Sequence, residues 1–183
     1  KRIDVNAKTK SRKYTALHLA AENGCYNCLK MLLEKGAYVD ELSCKKQTPL
    51  FLACKETFVD CVELLLEYGA APSAQDNEKR TPLHAAVSKS LDPMQLHVVR
   101  HLVDRKADVH LADDFGYTAL HIAALNELDE CVEYLIMNGA NVTAKTEGNV
   151  TALNMINRKT PISSSKINER LNQSLAYNTE QCL

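Results

Sequence analysis

Thr81-Pro82-Leu83-His84-Ala85-Ala86 is the stretch whose reading decides the fold, because near copies of it recur along the whole chain. They are Thr15-Ala16-Leu17-His18, Thr48-Pro49-Leu50-Phe51, Thr118-Ala119-Leu120-His121 and Thr151-Ala152-Leu153-Asn154. The intervals are 33, 33, 37 and 33 residues, a period that marks a row of equivalent supersecondary units. A second marker follows the first by 21 residues, as Gly36-Ala37, Gly69-Ala70 and Gly139-Ala140. Its counterpart in the third copy, Lys106-Ala107, comes after 25 residues, so that copy holds a four-residue insertion around Ser88 to Pro93.

Each period resolves into two short helices. Thr48 and Thr81 stand where a side-chain oxygen caps free N–H groups, and Pro49 and Pro82 take the first helical position, where a missing N–H is harmless. The second helices carry paired aliphatics, Leu32-Leu33, Leu65-Leu66, Leu102-Val103 and Leu135-Ile136, and three of the four then meet Gly. Helices of about ten residues are too short to stand alone in water, so every copy has to bury its apolar face against its neighbours. In the insertion, Asp92 is expected to cap the following helix and Pro93 to open it.

The pattern T-[AP]-L-H, A-A, then V-x-x-L-L-x-x-G-A on a 33-residue period resembles the ankyrin repeat family. The resemblance implies an all-α solenoid of helix-turn-helix units with projecting hairpin fingers at 7–14, 42–47, 74–80, 112–117 and 144–150. The array occupies residues 1–159: a partial first repeat, four full repeats beginning at Thr15, Thr48, Thr81 and Thr118, and the start of another at Thr151. Departures from the pattern are Phe51 and Asn154 for the motif His, Thr57 and Glu127 for the mid-repeat Gly seen at Gly24, and Lys106 for the terminal Gly. Because Ile3-Asp4-Val5-Asn6-Ala7 looks like the tail of an earlier unit, the chain is expected to be an excerpt of a longer array.

Composition narrows the function classes. Of 183 residues, 45% are hydrophobic and 25% charged, which is ordinary globular usage. The 22 Lys plus Arg and 23 Asp plus Glu leave a net charge of -1, without the basic excess that drives phosphate-backbone binding, so no nucleic-acid partner is expected. The charge is polarised, however: Lys1 to Lys46 carry net +5 and the remainder net -6. A nucleic-acid role would have to rest on Lys1, Arg2, Lys8, Lys10, Arg12 and Lys13. No run approaches the roughly 18 apolar residues that span a bilayer, and no secretory signal opens the chain. Seven scattered Cys argue for thiols in a reducing, cytosolic setting over a disulfide framework.

His18, His84 and His121 invite a metal reading, but equivalent residues in successive helix layers lie about 8–10 Å apart, against about 2 Å for a zinc–nitrogen bond. The family resemblance implies instead an imidazole bonded to the backbone of the adjoining turn. Cys28, Cys61 and Cys131 share one repeat position and are expected in the core with Cys54. Cys25-x-x-Cys28 has no second pair to make a metal site. Cys44, beside Lys45 and Lys46 in a finger, is the candidate reactive thiol. No phosphate loop, acid pair or nucleophile motif appears, so neither catalytic activity nor a cofactor is expected.

Recognition therefore falls to the fingers and the exposed faces of the first helices, which line the concave side if the resemblance holds. The candidate protein-binding residues are Tyr14, Asn23, Lys55, Arg80, Lys89, Phe115, Tyr117, Leu125 and Asn126, with the aromatic group the strongest because aromatic side chains dominate binding hot spots. Beyond the array, the tail 160–183 spaces Ile167, Leu171 and Leu175 on one helical face, as a capping or linker helix. The stretch RKTPISSSKINERLNQSL is similar to the segment after the ankyrin array in insect ankyrin-type transient receptor potential channels. That implies a cytosolic assembly or gating element of a homotetrameric cation channel, at the plasma membrane only through regions outside this chain. The rival is a soluble adaptor that holds one protein partner on its concave face.

Overall fold

Repeat threonines start helices through their own hydroxyls. The Oγ1 atoms of Thr15, Thr48 and Thr81 accept from the N–H three residues on, at 3.2 to 3.5 Å. The computed structural model describes residues 4–89 and 93–159, and the tail helix expected beyond Lys159 lies outside them. The described helices are α1 (Ala16–Glu22), α2 (Tyr26–Glu34), α3 (Pro49–Lys55), α4 (Val59–Glu67), α5 (Pro82–Ala86), α6 (Gln95–Asp104), α7 (Ala119–Leu125), α8 (Asp129–Met137) and α9 (Ala152–Lys159). Among the described residues the β-type pairing is one isolated antiparallel bridge, Ala112 to Thr118.

The helices form two parallel rows. First helices pack on first helices, α1 on α3, α3 on α5, α5 on α7 and α7 on α9, while α2, α4, α6 and α8 stack behind them. The motif leucines Leu17, Leu50, Leu83 and Leu120 occupy equivalent sites between the rows and are at most 1% exposed. Leu29, Val62, Val99 and Val132 face them from the second helices, also fully buried. The repeat therefore builds one continuous apolar seam rather than separate cores.

Equivalence breaks at the first layer. Cys61, Leu64 and Leu65 of α4 are buried, yet their counterparts Cys28 and Met31 are exposed and Leu32 is half-buried. α2 opens the row of second helices among the described residues, with none before it, so one of its flanks meets solvent. This corrects the expectation that Cys28 is a core residue. Its sulfur is instead paired with that of Cys25 across one turn, against the reading of all seven cysteines as thiols.

The departures from the repeat pattern keep the backbone and change only the side chain. Gly24 has φ +67°, and Thr57 and Glu127 hold φ 60° and 59° in its place; Lys106 adopts φ 67° where Gly36, Gly69 and Gly139 stand at 82° to 86°. Left-handed backbone costs a side-chain-bearing residue about 1–2 kcal/mol, so the stack imposes the conformation against local preference. The insertion is anchored by Gln95, buried, whose Nε2 donates to the Lys89 carbonyl at 2.5 Å. Pro93 lies two residues before α6 and does not open it, because Met94 takes the cap position; Asp92 lies outside the described residues.

Candidate functional site

The fingers before Thr48, Thr81 and Thr118 are closed by a short polar side chain five residues before the threonine. Asp76 Oδ1 accepts from the N–H groups of Glu78 and Arg80, Asp113 Oδ1 from Phe115 and Tyr117, and Ser43 Oγ from Lys45 and Gln47, at 2.8 to 3.3 Å. Neighbouring fingers are then tied edge to edge. The N–H groups of Cys44, Asn77, Asp114 and Glu147 donate to the carbonyls of Arg12, Lys45, Glu78 and Phe115 at 2.9 to 3.0 Å. The fingers thus form a fixed ribbon along the array.

Three imidazoles fasten that ribbon to the helices. The Nδ1 atoms of His18, His84 and His121 accept from the N–H of Thr15, Thr81 and Thr118 at 3.1 to 3.2 Å. Each Nε2 is then the protonated nitrogen and donates to a carbonyl of the next finger: Gln47 at 3.1 Å, Tyr117 at 2.9 Å and Ala144 at 3.0 Å. The rings are neutral, and burial holds all three pKa values below the ordinary histidine value, since a second proton would displace the Nδ1 acceptor. The backbone role expected of these residues is the one observed.

Between the ribbon and the first helices lies a groove of about 480 Å³, bordered by Lys55, Arg80, Phe115 and Tyr117, all expected to bind a partner. Sequence reasoning missed Phe51 and Ile122 beside them. The signal was available, since Phe51 takes the motif-histidine site and leaves an apolar ring where the other copies place an imidazole. Arg80 is held by Asp76 at 2.7 Å and by Glu78 at 3.2 Å, with its guanidinium 5.9 Å from the Phe51 ring centre. Phe115 is 59% exposed, the largest bare apolar surface along this wall.

The remaining candidates fall elsewhere. Tyr14 is buried, stacked on His18 at 5.1 Å with the Arg12 guanidinium 5.6 Å from its ring centre, so it packs the first finger. Asn126 is half-buried and donates to the Val87 carbonyl at 2.8 Å, tying α7 to the turn after α5. Asn23 is exposed, but its amide bonds the Leu19 carbonyl of its own helix. Lys89 reaches Glu56 at 2.5 Å and Lys55 approaches the same carboxylate at 3.6 Å. The Lys89 hydrogen bond is the main reason the Glu56 carboxyl sits below its usual range. Leu125 is 38% exposed at the end of α7 and does not line the groove. Cys44 is exposed in the second finger, whereas burial raises the thiol pKa of Cys54 and Cys61 and pushes Cys131 up to about 11.

Known proteins carry the same architecture. A family profile described as ankyrin repeats (three copies) matches residues 39–113 and again 69–146, and one described as ankyrin repeat matches 12–43. Among curated proteins the chain is similar to the transient receptor potential channel pyrexia of Drosophila melanogaster, 44% identical over 60 residues. That alignment covers 33% of this chain and 6% of the channel, so the chain spans a small part of the curated relative it matches. Among the described residues no helix is long and apolar enough to cross a membrane. The phased threonine motif, the two helix rows and the profile matches over most of its length make this chain a member of the ankyrin repeat family.

Proposed function

We propose that the chain is a non-enzymatic protein-interaction and assembly scaffold, part of the cytosolic ankyrin region of a transient receptor potential cation channel, and that its groove takes an extended segment of a protein partner. The observation that carries the interaction is the meeting of Phe115, Tyr117, Phe51 and Arg80 in one open groove on a rigid wall. Aromatic and arginine side chains are the groups that most often supply binding energy at interfaces. The likeness to the pyrexia channel supports the channel context.

Two measurements test this reading. Peptides selected from a random library against the chain are expected to lose at least about tenfold affinity when Phe115 and Tyr117 are both changed to Ala, as removal of hot-spot side chains does. Selected peptides indifferent to both changes would place recognition on another face. The reading frame beyond Leu183 is expected to encode apolar spans of about 20 residues. Their absence would favour the soluble adaptor, which needs the groove and no membrane.

A further inference from the structure

The residue two before each repeat threonine sits at the finger tip with left-handed backbone: Lys13 at φ 54°, Lys46 at 57°, Lys79 at 57°, Gly116 at 78° and Asn149 at 57°. Gly and Asn are the residues that tolerate this region best. Fingers four and five use them, while the first three all place lysine there. Strain repeated at one register position in three consecutive units asks for a reason in the side chain rather than the backbone.

The surroundings supply one. All three lysines are exposed, and the edge-to-edge hydrogen bonds between fingers put them at equivalent points of adjacent layers. Fingers one and two, 7–14 and 42–47, contain no carboxylate, and Lys10, Arg12 and Lys45 add to the same edge. The acids reaching in from outside these fingers are already engaged, Glu41 with Lys8 at 2.6 Å and Glu22 with Arg12 at 3.7 Å. Lys79 bonds Asp114 at 3.0 Å, and among the described residues no ion pair engages Lys13 or Lys46.

We propose that Lys13, Lys46 and Lys79 form a linear anion-reading edge that binds an acidic protein segment in polyproline II conformation, with a carboxylate at every third residue. Layer spacing sets the register: successive layers lie about 8–10 Å apart, and a polyproline II chain repeats the same face every three residues, about 9.3 Å. Carboxylates at i, i+3 and i+6 of such a chain recur at the spacing of the layers and so can meet all three ammonium groups. At the third position the segment's carboxylate competes with Asp114 for Lys79. The edge adjoins the groove: Lys13, Lys46 and Lys79 do not line it, whereas their neighbours Lys45 and Glu78 do.

The test uses a fluorescent peptide of Glu-Pro-Pro repeated three times and closed by Glu, beside one of the same composition with its glutamates clustered at one end. Binding is followed by polarisation at about 50 mM salt, where surface charge is weakly screened. The spaced peptide is expected to bind at least about fivefold tighter than the clustered one, and changing the three lysines to Gly to weaken it at least about tenfold. Changing them to Arg should keep affinity within about threefold, since the charge and reach persist. The glycine variant should also melt no lower than the parent, because Gly relieves the left-handed strain. Absence of binding, indifference to glutamate spacing, or equal affinity in the glycine variant would each overturn the proposal. So would a lower melting temperature in that variant, which would give the lysines a structural role. Stronger lysine-dependent binding to phosphatidylserine vesicles than to the spaced peptide would assign the edge to a lipid surface and overturn the protein-segment reading.

Discussion

Leu65→Ala and Leu135→Ala are each expected to lower the unfolding free energy by about 2–5 kcal/mol, the range for truncating a fully buried leucine. Both side chains are 0% exposed in the seam between helix rows, so the contacts of the three deleted side-chain carbons are lost and the surrounding layers leave a cavity. Leu32→Ala, at the same repeat position, is expected to cost less than half as much because that side chain is already half-solvated on α2. Urea titration of the three variants checks both the size and the order. Equal losses at all three sites would mean that the first layer is as enclosed as the inner ones, against the observed exposure.

Acid should unfold this protein through its buried imidazoles. His18, His84 and His121 have folded pKa values depressed below 6.5, chiefly by burial, so below pH 6.5 the unfolded chain takes up protons that the folded chain refuses. Stability from these groups is complete above the unfolded value and declines as pH falls below 6.5. The slope is at most about 1.4 kcal/mol per pH unit for each histidine, or about 4 for the three together. The array itself supplies the control. Asn154 holds the motif-histidine site of the last copy and accepts from the N–H and hydroxyl of Thr151 at 3.0 and 2.9 Å without titrating. Changing His18, His84 and His121 to Asn should therefore flatten urea midpoints across this range. A parent protein with pH-independent midpoints, or a variant as acid-sensitive as the parent, would show that the rings are not held neutral by the fold.

Much of this was legible in the residues because periodicity reports phase directly. Thr15, Thr48, Thr81 and Thr118 fix where helices begin, Gly36, Gly69 and Gly139 where they end, and the 33-residue interval places one layer on the next. What the period hides is difference between copies. It equates Cys28 with Cys61 and Cys131, whereas burial depends on whether both flanks of a helix are covered, and α2 has one flank bare. It equates Tyr14 with Tyr117, yet the first ring stacks on its histidine and the second is turned edge-on to His121 at 6.2 Å beside the groove. Asn126 read as a surface amide because its acceptor, the Val87 carbonyl, belongs to another repeat. The groove was half legible: its aromatic wall was named from the fingers, while Phe51 was set down as a departure from the pattern rather than as a lining residue.

The central physical claim is that no repeat can bury its own apolar face. It is tested most directly by excising one, residues 48–80 with both helices and both ends blocked, and recording its circular dichroism beside that of the intact chain. Helices this short are below the length that holds in water without tertiary contacts, so the excised unit should show little helix and no cooperative melt while the intact chain shows both. A single repeat that is as helical per residue as the parent and melts with a sharp transition as a monomer would contradict the account.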